Sequence, residues 1–183
     1  PESLTTPADQ REEVIDRYIA DLHALRIDLP RWHTTLSSEE KQQVLQIADH
    51  TAADKITCSF AIRRWILARY LDIPPGEVRF LRLQSGKPYV SPGDRKTPKF
   101  NISHSKDLMI TGISMSREIG VDIQFIDMTV PVLQIATRFF SSENVRYIKN
   151  GGGTDQYTRF YRVWTFLEAF SKAMGEGIVR GMN

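Results

Sequence analysis

Residues 99–126 read KFNISHSKDLMITGISMSREIGVDIQFI, and this stretch indicates the fold class. It contains three strand-like runs, Lys99–Ser103, Leu108–Met115 and Ile119–Ile126, separated by short polar connections. Strands joined by so few residues pair antiparallel, because a parallel pair needs a crossover of about a dozen residues or more. The stretch therefore predicts an antiparallel sheet in the middle of the chain.

Helical patterns flank this predicted sheet on both sides. Predicted helices cover residues 38–49, 52–71, 132–140, 143–149 and 155–174, and a predicted hairpin joins strands at 78–83 and 88–90. Ser37 and Glu40 have the spacing of a capping box at the start of the first helix, while Gly175 and Gly177 follow the last one. This order of elements predicts an α+β fold with a mainly antiparallel sheet.

The region before these helices admits two interpretations. Leu25, Ile27 and Leu29 alternate with charged residues, which is the pattern of a half-buried strand. Residues 11–25 also fit a helix, and residues 1–10 have the polar composition of an arm. We predict the strand and keep the helix as the alternative.

Composition limits the class of protein. The chain has 183 residues, 41% hydrophobic and 25% charged, with a formal net charge of +2 and no apolar run as long as a membrane span of roughly 20 residues. Because the charge is close to neutral, we expect neither nucleic acid nor a membrane as a partner. The lone cysteine, Cys58, excludes an internal disulfide and a thiolate zinc cluster. We expect a cytoplasmic monomer.

Two pieces of the central stretch have chemistry suited to a phosphate ligand. His104 lies between Ser103 and Ser105, and such a group can donate hydrogen bonds to phosphate oxygens. Asp122 follows an apolar run, where its carboxylate is a natural ligand for Mg²⁺. Each residue also has a purely structural interpretation, as a hydrogen-bonded histidine and as a turn or cap residue.

The last predicted helix adds a third piece. Glu168 and Lys172 are four residues apart and so share one helix face. The simplest interpretation is a surface ion pair worth about 0.2–0.5 kcal/mol. The alternative is that this face belongs to the same site as Asp122.

Taken together, the motifs closely resemble the phosphopantetheinyl transferases of the surfactin-synthetase type. The resemblance rests on motifs whose order and separations match across about residues 25–178: Leu36-Ser37 with Glu39-Glu40, Arg64 with Leu67-Ala68-Arg69-Tyr70-Leu71, Gly86-Lys87-Pro88, Phe100-Asn101-Ile102-Ser103-His104-Ser105, Gly120-Val121-Asp122, Arg138-Phe139-Phe140-Ser141 with Glu143, and Trp164 with Glu168-Ala169-Phe170 and Lys172.

The resemblance implies an activity and a fold. The activity is Mg²⁺-dependent transfer of the 4′-phosphopantetheine arm from coenzyme A to a serine of an apo carrier protein. The implied fold has two similar halves, 1–106 and 107–183, each a small antiparallel sheet packed with a long helix, with coenzyme A between them. Because family members continue past the Gly175–Gly177 turn, we expect the second half to be incomplete at Asn183.

The resemblance also implies roles for individual residues. Asp122 and Glu168 match the Mg²⁺ ligands, with Gln124 as a third oxygen ligand or its place taken by water. Ser103, His104 and Lys172 match contacts to the coenzyme A phosphates, and Glu168 is also the candidate to accept the proton of the carrier serine. Arg64 and Lys87 match basic contacts to the nucleotide end.

Two positions depart from the family pattern. Gln124 stands where an acidic residue is usual, and Leu167 stands where a lysine is usual before the helix glutamate. These changes leave open a protein that binds coenzyme A or a carrier without turnover. A phosphohydrolase built on Asp122 and Glu168 is a further alternative.

Overall fold

The computed structural model describes residues 14–84, 86–91 and 97–175. In chain order the elements are β1 (Ile15–Asp21), α1 (Leu22–Leu25), a 3₁₀ turn (Arg26–Asp28), α2 (Leu29–Thr35), α3 (Ser38–Leu45), α4 (His50–Leu71), a second 3₁₀ turn (Pro75–Glu77), β2 (Phe80–Arg82), β3 (Pro88–Val90), β4 (Lys99–Ser105), β5 (Leu108–Ser114), α5 (Val132–Phe139), α6 (Ser142–Lys149) and α7 (Thr154–Met174). The predicted arm at 1–10 and Gly177 lie outside the described residues.

The strands form two antiparallel sheets, which confirms the predicted α+β class. β1, β5 and β4 make a three-stranded sheet in that order, and β2 pairs with β3. In the larger sheet, successive side chains of β4 alternate between two faces. Phe100 and Ile102 point toward α4 and join its apolar residues in the core, whereas Asn101 and Ser103 point to the opposite face.

Local sequence signals account for the helix ends. Ser37 and Glu40 form the predicted capping box of α3, in which each side chain accepts a hydrogen bond from the other residue's backbone N–H. Asp49 caps α4, and Asp72 ends that helix in the left-handed conformation at φ 53°. Gly175 ends α7 at φ 72°, a conformation that glycine adopts without steric cost.

The strand predicted at Leu25–Leu29 is wrong, because this segment is helical. Leu25 and Leu29 are four residues apart, a spacing that fits one helix face as well as it fits strand alternation, and both pack around Trp32. Ile27 is 91% exposed, so the apparent alternation did not reflect burial. The alternative helix at 11–25 is also wrong over β1, which pairs with β5; residues 11–13 are not described.

The predicted strand at 119–126 is also wrong. This segment has no backbone ladder with the sheet, because side chains of β4 bind its backbone instead. The N–H of Val121 donates to Asn101 Oδ1 at 2.9 Å, and the N–H of Phe125 donates to Ser105 Oγ at 2.7 Å. The segment therefore follows β4 in the same direction as an irregular chain.

The second part of the chain builds a separate apolar cluster. α5, α6 and α7 surround Ile148 and Phe160, both almost completely buried. After residue 107 the described residues contribute only β5 to a sheet, and that strand lies between β1 and β4. The similarity of two halves and the boundary between residues 106 and 107 stay predictions. Among the described helices, none has the length and apolar character needed to cross a bilayer.

Candidate active site

Asp122 is the centre of a polar cluster between the sheet and α7. Its side chain is only 3% exposed, and Oδ1 accepts hydrogen bonds from Ser103 Oγ at 2.6 Å and from Lys172 Nζ at 2.6 Å. Lys172 also reaches Ser103 Oγ at 3.0 Å and the carbonyl of Val121 at 3.4 Å. Three residues far apart in sequence thus meet at one carboxylate.

Gly120 allows α7 to come this close. A Cβ built on Gly120 would lie 1.8 Å from the carbonyl oxygen of Ala169 and 2.6 Å from the backbone nitrogen of Ala173. The backbone of the Gly120 segment therefore packs directly on the backbone of the helix. Because Ala169 lies between Glu168 and Lys172 along α7, this contact sets how near both functional side chains lie to Asp122.

The second oxygen of Asp122 lacks a partner among the described residues. Oδ2 is buried and has no hydrogen bond in this part of the chain. A buried carboxylate oxygen without a donor is costly, so such atoms usually mark a site for an ion, a water molecule or a ligand. Asp122 therefore has one oxygen held by protein donors and one oxygen left for another group.

Glu168 supplies a second carboxylate on the same side of α7. Partial burial raises the pKa of Glu168, and the nearby Asp122 charge raises it further, while the Lys172 ammonium lowers it. Glu168 lies one helical turn before Lys172 on α7, and Lys172 is the residue that bonds Asp122. Two neighbouring carboxylates, whose negative charges repel each other, are suited to share a divalent cation.

The residues present fit Mg²⁺ as a partly hydrated ion. Within the described ranges, no group of three or more His, Cys, Asp or Glu side chains could hold a metal by itself. Asp122 Oδ2 and Glu168 offer oxygen ligands, and Gln124 is exposed with its Oε1 accepting from Ser105 Oγ at 3.3 Å. Mg²⁺ commonly binds one or two carboxylates and completes its shell with water and substrate phosphate.

His104 lies on the other face of β4 from Ser103. Its Nε2 is 2.7 Å from Ser59 Oγ on α4, and this bond turns the ring toward the helix. Although the residue has an exposed edge, packing against α4 partly desolvates the ring, and this lowers the pKa of His104 together with the charges of Lys172 and Arg63. His104 is therefore held against α4 by Ser59, on the face of β4 opposite to Ser103.

Arg64 is buried and bound to the protein itself. Its side chain is 3% exposed, with Nε donating to Glu40 at 2.6 Å and Nη1 donating to the carbonyl of Val78 at 2.9 Å. A further bond from Nη1 reaches the carbonyl of Pro75 at 3.1 Å. These bonds join α4 to α3 and to the segment before β2.

Arg63 precedes Arg64 on α4, and both guanidinium residues line one cavity. The side chain of Arg63 is 12% exposed, paired with Glu40 at 2.6 Å and positioned over the rings of Phe60 and Phe80. Its Nε is buried without a hydrogen-bond partner in the described part of the chain. A cavity of about 300 Å³ there is lined by Arg63, Arg79, Arg82, Phe60, Phe80 and Ser37, among others.

Lys87 connects the β2–β3 hairpin to α7. Its Nζ donates to Glu118 at 2.9 Å, to the carbonyl of Lys172 at 3.0 Å and to the carbonyl of Ile119 at 3.4 Å. The ammonium therefore neutralises carbonyl charge at the C-terminal end of α7, where cations are stabilising. Lys87 and Arg64 contact protein groups, whereas Ser103, Asp122 and Lys172 form one hydrogen-bonded cluster, with Glu168 one helical turn before Lys172.

Sequence reasoning did not single out Ser59, which bonds His104, or Arg79 and Arg82, which line the cavity. Ser59 and Arg63 are four residues apart on α4 and so share a face, but many helices carry such a pair. Arg79 precedes the short strand β2 and Arg82 is its last residue, and the sequence does not define the ends of this strand. The sequence shows that Ser59 and Arg63 share a helix face, but only the packing of α4 on the sheet shows that this face is directed at His104.

The raised pKa of Glu168 leads to a prediction about stability. A carboxyl whose pKa is raised in the folded state contributes stability below its unfolded pKa and loses that contribution as the pH rises. Glu168→Gln stays neutral at every pH. Its urea midpoint should therefore rise relative to that of the parent when the pH is raised from 4 to 7.5. A difference between the two proteins that is the same at both pH values would contradict the raised pKa.

Comparison with known proteins places this site in a family. The model for the 4′-phosphopantetheinyl transferase superfamily matches residues 118–183, and the model for 4′-phosphopantetheinyl transferase, N-terminal, matches residues 26–115. The match to residues 26–115 ends just after β5 and includes Ser103 and His104. The match to residues 118–183 includes Asp122, Glu168 and Lys172.

Named relatives agree with these matches. The chain is similar to 4′-phosphopantetheinyl transferase HetI of Nostoc sp., with 32% identity over 149 residues, covering 80% of this chain and 62% of the relative. It is 28% identical over 149 residues to 4′-phosphopantetheinyl transferase Sfp of Bacillus subtilis, covering 81% of this chain and 64% of the relative. With L-aminoadipate-semialdehyde dehydrogenase-phosphopantetheinyl transferase of Pongo abelii it shares 28% identity over 156 residues, covering 79% of this chain and 50% of the relative.

The chain thus spans between 50% and 64% of the length of these three relatives. Both family matches and the similarity to named transferases agree. The chain belongs to the 4′-phosphopantetheinyl transferase superfamily.

Proposed function

We propose that this protein is a transferase of the surfactin-synthetase type, which moves the 4′-phosphopantetheine arm of coenzyme A onto a serine of an apo carrier protein with the help of Mg²⁺. The proposal rests on the two oxygens of the Asp122 carboxylate. Oδ1 accepts hydrogen bonds from Ser103 and Lys172, whereas Oδ2 is buried without a partner in the described residues. A cation beside that oxygen, and a phosphate beside Lys172, would satisfy both groups.

In this proposal Asp122 and Glu168 hold Mg²⁺, with Gln124 reaching it directly or through water. When bound, the metal supplies charge stabilisation at the pyrophosphate oxygens. Lys172 is 28% exposed and already directed at Asp122, so its ammonium is placed to donate to a pyrophosphate oxygen as well. Fixed donors of this kind act where negative charge grows during the transfer.

The remaining residues bind and orient the reactants. The ring of His104 donates a hydrogen bond to a phosphate oxygen. Glu168 accepts the proton of the carrier serine as the serine oxygen attacks the β-phosphoryl group. The product that leaves is adenosine 3′,5′-bisphosphate. Because the enzyme forms no covalent bond, correct alignment of the two substrates supplies much of the rate.

We propose that the nucleotide end binds in the cavity at Arg63, Arg79 and Arg82. Arg63 has a buried Nε without a partner in the described residues. The neighbouring Arg64 donates from Nε to Glu40 and from Nη1 to backbone carbonyls. Arg64 also lines this cavity, held by Glu40 and backbone carbonyls, and Lys87 ties the β2–β3 hairpin to the end of α7. Cationic side chains beside aromatic rings suit a phosphorylated nucleoside.

Product analysis separates this function from its two alternatives. Purified protein is incubated with coenzyme A and Mg²⁺, with and without apo carrier protein, and adenosine 3′,5′-bisphosphate is measured by chromatography. We expect the bisphosphate only when the carrier is present. Release without carrier would indicate a phosphohydrolase, and calorimetric binding of coenzyme A with no product under either condition would indicate a binding protein.

Gln124→Glu is predicted to tighten Mg²⁺ binding. A carboxylate at this position adds one negative charge to the oxygen ligands, and we expect roughly a tenfold lower Kd by calorimetry. Gln134→Glu makes the same change of charge on exposed α5 and should leave the Kd unchanged. Equal or weaker binding by the Gln124→Glu protein would show that water already serves at this position.

A further inference from the structure

Ser59 lies at the centre of α4 and faces the sheet. It is 5% exposed, and its hydroxyl is 2.7 Å from Nε2 of His104 on β4. A buried serine or threonine inside a helix often returns its hydroxyl to the carbonyl four residues earlier. Thr57 does so, donating to the carbonyl of Ala53 at 2.9 Å. The hydroxyl of Ser59 instead bonds across to the sheet.

This bond leaves one ring nitrogen of His104 for a ligand. With Nε2 occupied by Ser59, the described residues give Nδ1 no hydrogen bond. A neutral imidazole carries its proton on one nitrogen only, and the partner of the other nitrogen selects which one. Burial, Lys172 and Arg63 together lower the pKa of His104, which favours this neutral ring near neutral pH.

The surroundings of the ring suit an anion. Lys172 of α7 and Arg63 of α4 are the charged groups that act on His104, and both are cations. Ser59 and Arg63 share one face of α4, so the same helix orients the ring and supplies one of the two charges. The charges of Lys172 and Arg63 both favour an anion beside His104, and a phosphate there needs a ring N–H directed at it.

We propose that Ser59 is a positioning residue for His104: its hydroxyl donates to Nε2, keeps the proton on Nδ1 and fixes the ring so that Nδ1–H donates to a phosphate oxygen of the substrate. This role rests on the proposed function. It assigns a task in the same site to a residue of α4 that none of the matched motifs contains.

The test uses three variants of the whole protein. Ser59→Ala removes the hydroxyl, Ser59→Thr keeps it, and Thr57→Val removes a different buried hydroxyl two residues away on the same helix. Nitrogen and carbon NMR of the imidazoles reports the tautomer and pKa of His104, with His104→Gln assigning its signals among the four histidines. Rates of transfer at varied coenzyme A concentration give kcat and KM.

We expect Ser59→Ala to shift His104 toward a mixture of tautomers, to raise the pKa of His104 and to lower kcat/KM for coenzyme A about tenfold. Ser59→Thr and Thr57→Val should leave the ring signals unchanged and kcat/KM within about twofold of the parent. This combination supports the positioning role, because a purely structural effect of losing a buried hydroxyl would lower kcat/KM in Thr57→Val as well.

Three results would overturn the inference. Unchanged ring signals in Ser59→Ala would show that Ser59 does not set the tautomer, and changed signals with normal kcat/KM would show that the tautomer does not matter. Absence of transfer by the unsubstituted protein would remove the proposed function and the positioning role with it. The NMR measurement distinguishes that last case, since it needs no activity.

Discussion

Asp122→Ala is expected to lower the rate of phosphopantetheine transfer by about 10³-fold or more, while the protein stays folded. The metal's stabilisation of the transition state is worth several kcal/mol, and each 1.4 kcal/mol corresponds to about tenfold in rate. The variant loses the carboxylate whose Oδ1 fixes Lys172 and whose Oδ2 is the candidate metal ligand. Intact-mass kinetics and Mg²⁺ calorimetry measure the two losses separately.

The fold should survive because the partner of Asp122 can reach water. Lys172 is 28% exposed, so its ammonium can turn to solvent when the carboxylate is removed. Asp155→Ala on the first turn of α7 is the matched control, since it removes a carboxylate from an exposed ion pair with Arg159. Near-normal transfer and Mg²⁺ binding by Asp122→Ala would remove this residue from the proposed metal site.

Gly120→Ala is expected to lower both stability and activity. The new Cβ would meet the carbonyl of Ala169 at 1.8 Å, and backbone atoms inside a helix cannot move aside as a flexible side chain can. We expect about 3 kcal/mol or more of destabilisation in urea unfolding. The folded fraction should also lose about 10²-fold in kcat, because α7 would carry Glu168 and Lys172 away from Asp122.

Gly152→Ala provides the control for that prediction. A Cβ at Gly152 has no atom within 4 Å, and the residue does not have a left-handed backbone conformation. Its stability should therefore stay within about 0.5 kcal/mol of the parent. If Gly120→Ala unfolded at the same urea concentration as Gly152→Ala, α7 would not approach the Gly120 segment as closely as described.

Local sequence signals predicted much of the fold because they act within a few residues. The capping box at Ser37 and Glu40, the stop at Asp72 and the glycine after α7 each depend on neighbouring backbone groups. The β2–β3 hairpin likewise follows from a short turn in which Gly86 has φ 83°. These elements were predicted correctly to within a few residues.

The errors arose where distant contacts decide the structure. The period-2 pattern at Leu25–Leu29 also satisfies a helix face, and packing around Trp32 selects the helix. The segment 119–126 has the composition of a strand, yet Asn101 and Ser105 bind its backbone with their side chains. Neither competing contact can be read from the local pattern.

The candidate site shows the same limit. Asp122, Glu168 and Lys172 were identified by motif; Lys172 bonds Asp122 in the structure, and the roles of all three stay predictions. The motif named Arg64 alone, whereas in the structure Arg63 and Arg64 both pair with Glu40 and both line the cavity, and only Arg63 keeps a buried Nε without a partner among the described residues. Ser59 carried no motif at all.

Transfer of a phosphopantetheine arm to a carrier protein is the activity that we propose for this chain. It is tested by the intact mass of apo carrier proteins from fatty-acid, polyketide and peptide synthesis after incubation with this protein, coenzyme A and Mg²⁺. At least one carrier should gain the mass of a single phosphopantetheine arm, and this gain should disappear with a chelator or when the carrier serine is replaced by alanine. No gain on any carrier, with the folded protein and Mg²⁺ present, would contradict it.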